Sequence, residues 1–157
     1  MSITRLRNAA MRHESILPLL KEKWHKPVFA GGREDIESCP DDGGIYLLAI
    51  HLSHTLTIAR PGPATLAPGL YLYAGSARGP GGLRARLRRH QAIEKTCRWH
   101  IDQLTTQAAE RFAFGWLSGT ECDLIRALDT SATARHPIGG FGSSDCKHCT
   151  SHMLYLP

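Results

Sequence analysis

Apolar and polar positions along this chain fall into short blocks that alternate between strand-like and helix-like spacing. GIYLLAIHL, residues 44 to 52, is an apolar, β-compatible run and predicts a buried strand. TLTIAR, residues 55 to 60, alternates as a neighbouring strand would, and ARPGPATLAPG then breaks the pattern with proline and glycine. GLYLYAG, residues 69 to 75, predicts a third strand, and GGLRARLRRHQ, residues 81 to 91, starts a helix after its glycines. RWHIDQLTTQA, residues 98 to 108, predicts a second helix, and RFAFGWLSG, residues 111 to 119, alternates as a strand. TECDLIRALDT, residues 120 to 130, opens with threonine in the capping position and continues as an amphipathic helix. HPIGGFGSSDCKHCTSH reads as loop, and HMLYLP ends the chain as a short strand.

The first residues read differently. HESILPLLKEKW, residues 13 to 24, predicts a short helix that Pro18 delays or kinks. GGREDIESCPDDGG, residues 31 to 44, is rich in turn formers and acids and reads as a linker. The expectation is an extension and linker over residues 1–42, then one domain over 43–157. Its class is α/β in the α+β sense: a small, mostly antiparallel sheet of three to four strands flanked by helices.

The chain has 157 residues, and 42% of them are hydrophobic, enough for one compact core. Its formal charge of +5 directs attention to polyanionic partners and says nothing of fold. No apolar run approaches the roughly 18 residues of a membrane span, and MSITRLRNAAMRH lacks an apolar signal core. Five cysteines without a secretion signal imply reduced thiols and a cytoplasmic protein.

YLYAGSARGPGGLRARLRRH carries the chemistry. A Walker loop is excluded, because no Lys-Ser or Lys-Thr follows the glycines, and a dinucleotide fingerprint fails because the sheet reads as a meander. On the helix, with Leu83 at zero and about 100° per residue, Leu87 lies near +40°, His90 near −20° and Arg86 near −60°. Arg86 and His90 therefore share the inward stripe, whereas Arg84, Arg88 and Arg89 point outward, either as a solvated face or toward phosphates. An inward arginine needs a partner, either a structural ion pair or a role as an active-site cation. Tyr71 and Tyr73 share one strand face, and Tyr46 follows Gly44 on the first strand.

In this order the motifs resemble the GIY-YIG endonuclease superfamily. Gly44-Ile45-Tyr46 stands as the first motif and Tyr73-Ala74-Gly75 as the second. Leu83-Arg84-Ala85-Arg86 with His90 is similar to the family's L-x-x-R-x-x-x-H helix, and Glu121 matches its metal-binding glutamate. The further runs RWHID, ECDL and FGSSDCKHCTSH are similar to the Uri-type branch, so the resemblance spans about residues 43 to 157. It departs in two places. The interval between the tyrosine motifs is longer than usual, with an extra strand at 55 to 60. The family's late asparagine has no counterpart, since the only asparagine is Asn8; Ser144, Asp145 or His152 are the candidates for its role.

The resemblance implies a DNA endonuclease dependent on Mg²⁺ or Mn²⁺, with Tyr46, Tyr73, Arg86, His90 and Glu121 catalytic and Glu121 on the metal. Arg78, Arg84, Arg88, Arg89, Lys95 and Arg98 cluster near the proposed site with only Glu94 against them, a track for DNA or RNA. Cys146-Lys147-His148-Cys149 with His152 is half of a zinc site, for which Cys97 and His100, or Cys122, could supply the remainder; the alternative is a tight loop with free thiols. His100 could touch phosphate or metal, or hydrogen-bond near Asp102. The other functional readings are a nucleic-acid-binding module without catalysis and a zinc-stabilised interaction domain.

Overall fold

The computed structural model describes residues 16–20, 24–129, 134–143 and 146–157. Seven strands are present among them: β1 (Phe29–Gly31), β2 (Gly44–Leu52), β3 (Leu56–Ile58), β4 (Ala64–Leu66), β5 (Gly69–Ala77), β6 (Glu110–Trp116) and β7 (Met153–Leu156). Five of them form one sheet in the order β1-β6-β2-β5-β7, and every pairing in it is antiparallel. The class is α+β, as the blocks of the sequence implied.

The unbroken apolar run of β2 follows from its central place. Its side chains alternate between two cores, and both faces of the strand are covered. Tyr46, Leu48, Ile50 and Leu52 pack with Leu83 and Leu87 of the arginine helix (Gly82–Gln91) and with Ile101, Leu104 and Phe141. Ile45, Leu47 and Ala49 pack on the other side with Phe114, Trp116 and with Leu124, Ile125 and Leu128 of the Glu121–Leu128 helix. The arginine helix and the Glu121–Leu128 helix therefore lie on opposite faces of the sheet.

The sheet has five strands instead of the expected three to four. The fifth comes from the stretch read as extension and linker, where Phe29–Gly31 pairs with Gly115 to Ala113 of β6. The polar, turn-rich residues that follow are a 3-10 helix (Arg33–Ser38) that seats Ile36 and Cys39 in the core beside the arginine helix. They also supply carbonyls that the arginine helix needs. Leu83 N–H donates to Asp42 O, and Arg84 N–H to Pro40 O. With Gly82 N–H on Gly79 O and Ala85 N–H on Gly81 O, the amides that open this helix are satisfied within the protein. The glycine-rich turn is thus a tight connection into the helix. Gly82, at φ +56°, has no room for a Cβ beside the Asp41 and Asp42 carbonyls.

Two other elements differ from expectation. The strand expected at 55 to 60 is Leu56–Ile58, and it leaves the main sheet to pair with Ala64–Leu66 in a separate hairpin. Proline and glycine occupy the turn between them, where Gln103 holds the backbone by accepting from Ala59 N–H at 2.9 Å and donating to Arg60 O at 2.9 Å. The helix expected over 98 to 108 is only Asp102–Thr105. The Asp102 carboxylate accepts the amides of Arg98 (2.9 Å) and Trp99 (3.0 Å), which bends the preceding residues into a turn. Half of the short helix expected over 13 to 24 lies outside the described residues; within them, Leu17–Leu19 is a 3-10 turn.

Thr120 caps the Glu121–Leu128 helix as its position implied, its Oγ1 accepting from Asp123 N–H at 3.1 Å. Replacing Thr120 with alanine is expected to lower stability in urea unfolding by about 1 kcal/mol, with Thr120→Ser close to wild type. Equal losses in both variants would show that the hydroxyl is not what holds this end.

Candidate active site

Tyr46 of β2 stands opposite Gly75 of β5 in register. A Cβ at Gly75 would collide with the Tyr46 hydroxyl and ring, so glycine is required for the tyrosine to lie across the neighbouring strand. Gly44 is required for a related reason, because a Cβ there would collide with the Trp116 carbonyl on β6. Lying so, Tyr46 reaches the arginine helix, and its Oη sits 2.8 Å from His90 Nε2, with both residues buried. Tyr73, diagonal to Tyr46 on the same face, is held edge-on by Phe141 at 6.1 Å. Gly142, at φ +68°, lies so close to the Tyr73 ring that a Cβ would not fit.

Burial governs the ionisation of this group. It keeps His90 neutral by pushing its pKa down to about 3, helped by the positive charges of Lys95, Arg86 and Arg89 against the pull of Asp102. It pushes the Tyr46 phenol well above 10, with Tyr73 adding to the effect and Arg86 opposing it. It raises Tyr73 to about 12, again with Arg86 opposing. His90 Nδ1 has no hydrogen-bond partner among the described residues.

Arg86 has no carboxylate partner among the described residues. Its guanidinium lies 4.6 Å from the centre of the Trp99 ring, over which Arg89 also sits at 4.2 Å. Trp99 is held from behind by Asp102. This carboxylate is fully buried and binds Arg89 through both oxygens at 3.1 and 2.8 Å, as well as the two amides described above. Lys95 Nζ completes the cluster at 3.7 Å, while donating to the carbonyls of Arg89 (2.9 Å) and His90 (3.3 Å) at the end of the arginine helix. Burial alone would raise the Asp102 carboxyl. The Trp99 amide, Arg89, the Arg98 amide and Lys95 outweigh it and hold the group below the usual range.

Tyr46, Tyr73, Gly75, Arg86, Glu121 and His152 all line one groove of about 520 Å³, with His90 directly behind Tyr46. Glu121 arrives from the opposite face of the sheet, at the first turn of its helix, and is the one carboxylate among the described lining residues.

Beside it lies a cluster of metal-ligating side chains. The ligand atoms of Cys122, Cys146, Cys149 and His152 are within 4.8 Å of one another, a set that could hold a metal. Cys122 Sγ is 3.3 Å from Cys146 Sγ and 3.5 Å from His152 Nε2. The His148 amide donates to Cys146 Sγ at 3.4 Å and, with Cys122, lowers the Cys146 thiol to about 6. Of the partners considered for Cys146, Cys149 and His152, the fold brings Cys122. Cys97 is exposed in another loop, and His100 packs against Phe141 at 5.5 Å.

The basic residues expected on a nucleic-acid track are mostly tied to the protein. Arg84 donates to Cys39 O at 2.7 Å, Arg88 pairs with Glu37, and Arg78 donates to Gly119 O at 3.2 Å. Arg89 and Lys95 close on Asp102, so the outward face of the helix at Arg89 is covered by the loop that follows. The side chain of Arg98 is exposed. Ser144 and Asp145 lie outside the described residues. Lys147 and His148, unassigned in the sequence, line the groove with Arg86; their place between Cys146 and Cys149 was the signal for them.

The family model described as "Domain of unknown function DUF123" matches residues 45–157, and the chain belongs to that family. No curated protein and no solved structure matches it. No helix among the described residues is long and apolar enough to cross a membrane.

His90 supplies a test by pH. Its folded pKa is about 3 against 6.5 for an unperturbed histidine, so the unfolded chain takes up the proton first as pH falls. Its contribution to stability is complete above 6.5 and is lost between there and about 3; Asp102, held low, loses its own as pH falls through its folded value. Urea unfolding from pH 7 to about 5 is expected to show a fall in stability that His90→Gln removes. An identical slope in the variant would contradict a buried neutral His90.

Proposed function

We propose that the groove hydrolyses phosphodiester bonds in DNA with a divalent cation, as an endonuclease acting in DNA repair or processing. One observation carries this reading. Tyr46, Tyr73, Arg86 and Glu121, brought from four separate elements, line a single groove with His90 bonded to Tyr46, and these are the five residues that the resemblance to the GIY-YIG superfamily singles out.

The donor set fits a Mg²⁺ ion. Such an ion is commonly held by one or two carboxylates plus substrate phosphates and keeps several waters, and Glu121 offers the one carboxylate among the described residues of the groove. Bound there, the cation would polarise the phosphoryl group and stabilise the leaving 3′ oxygen.

The chain's own residues supply the rest. Neutral His90 accepts at Nε2 the hydrogen bond from the Tyr46 hydroxyl, which turns the phenol oxygen toward an attacking water. As that oxygen bonds to phosphorus and the P–O3′ bond breaks, the water's proton passes to Tyr46 and that of Tyr46 to His90. The phenol's raised pKa keeps it protonated at neutral pH, so it can take the water's proton only by passing its own to His90. Before substrate binds, burial, Lys95 and Arg86 hold His90 low; an incoming phosphate offsets the Arg86 part of this, so His90 takes the proton only with substrate in place. Arg86, oriented on Trp99, stabilises the negative charge on the phosphoryl oxygens.

The metal that the Cys122, Cys146, Cys149 and His152 cluster would hold is zinc. Three sulfurs and one imidazole nitrogen make a soft donor set, typical of a closed structural site. The 3.3 and 3.5 Å separations approach the edges of about 3.6 to 3.8 Å that a tetrahedron with Zn–S bonds of about 2.3 Å requires.

Tyr46→Phe, Arg86→Ala and Glu121→Gln are each expected to reduce metal-dependent cleavage of labelled DNA at least about 100-fold; binding survives in Tyr46→Phe and Glu121→Gln and is weakened by about one phosphate contact in Arg86→Ala. A fully active Glu121→Gln protein would overturn the assignment. Salt-dependent binding without cleavage by wild type would favour a binding module instead.

A further inference from the structure

The cysteine cluster is not a separate staple at the edge of the fold. Cys122 directly follows Glu121, so a metal on its sulfur fixes the turn that carries the groove's carboxylate. His152 immediately precedes β7, whose first residue, Met153, is the register partner of Tyr73. His152 is also tied into the sheet, its carbonyl accepting from Ala74 N–H at 3.0 Å and its amide donating to Phe141 O at 2.9 Å. Cys146 and Cys149 bracket Lys147 and His148, both exposed and both lining the groove. Among the described residues Lys147 has no ion pair, whereas Arg88, Arg89 and Lys95 are held by carboxylates. The amide of His148 on Cys146 Sγ turns the bracketed residues back in the tight form that a two-cysteine knuckle takes around a metal.

We infer that this metal-bound knuckle is a wall of the substrate groove, and that it presents Lys147 to the nucleic-acid backbone across from Arg86. The inference rests on the reading that the groove takes a nucleic acid. It assigns to Lys147 the phosphate contact that the arginine helix, its outer cations occupied, makes only through Arg86. It also makes the metal a determinant of affinity: without it, Lys147 and the Glu121 turn lose their common anchor. Lys147 is a binding residue, and the four ligands are positioning residues.

The test uses the full chain in buffer without Mg²⁺, so that binding is read without cleavage. Metal analysis is expected to give about one zinc per chain. A labelled oligodeoxynucleotide, single-stranded or duplex, is then titrated at several salt concentrations against wild type, Lys147→Ala, Arg86→Ala and zinc-stripped wild type. Lys147→Ala is expected to keep its zinc, to bind more weakly, and to reduce the dependence of log affinity on log salt by about one. The stripped protein is expected to lose more affinity than Lys147→Ala and to recover it when zinc is restored.

Protein without zinc, or a Lys147→Ala slope identical to wild type while that of Arg86→Ala falls, overturns the inference and leaves the groove's function standing. If neither Arg86→Ala nor Lys147→Ala alters binding, the nucleic-acid reading of the groove fails with it. Should stripping unfold the chain, Lys147→Ala still decides the matter, because it leaves all four ligands in place.

Discussion

A hydrogen bond between two buried side chains, Tyr46 and His90, sets the terms for the rest of the site. Polar groups removed from water are costly unless they are paired, and this pair joins the central strand to the arginine helix. Its geometry demands a glycine at position 75, because the tyrosine lies where a side chain on β5 would be. It also demands that His90 stay neutral, which burial and the neighbouring cations ensure. The second motif glycine follows from that one contact, while Leu83 and Leu87 in the core turn the stripe that carries Arg86 and His90 inward.

The cations of this region divide between holding the fold and facing the groove. Asp102, buried at the centre of the loop between the arginine helix and β6, binds Arg89 and Lys95 and orders the turn that carries Trp99. Trp99 in turn supports Arg86, which has no carboxylate of its own among the described residues. A run of arginines that appears uniform in sequence therefore does two jobs: Arg89 stabilises the scaffold, and Arg86 keeps its charge available for an anion. The same burial that makes the Asp102 cluster a structural unit commits Arg89 and Lys95 to its carboxylate.

Much of this was legible in the sequence because the periodicities are strong. The apolar run of β2, the alternation in β5 and β6, and the spacing of Leu83, Arg86, Leu87 and His90 each predict the face that the structure uses. The threonine cap at Thr120 was equally plain. What the sequence hid depends on contacts between distant segments. Phe29–Gly31 is too short to read as a strand, and its role comes from β6 offering an open edge. The helix expected from Arg98 is shortened because Asp102 captures the amides before it. The outward direction of Arg89 was read correctly from helical geometry, but no local pattern shows that a later loop folds over it. Cys122 could be named only as one option among the cluster's partners; the pairing of β7 with β5 brings His152 and the knuckle to it.

We propose that one groove uses Tyr46, His90, Arg86 and Glu121 to break phosphodiester bonds in DNA. The most direct measurement is to incubate the purified protein with labelled single-stranded, duplex and forked DNA in Mg²⁺, Mn²⁺ or EDTA and to resolve the products by length. The account predicts cleavage of at least one substrate that requires the divalent ion and stops in EDTA. Intact substrate in every condition, from protein that still binds it, would contradict the account.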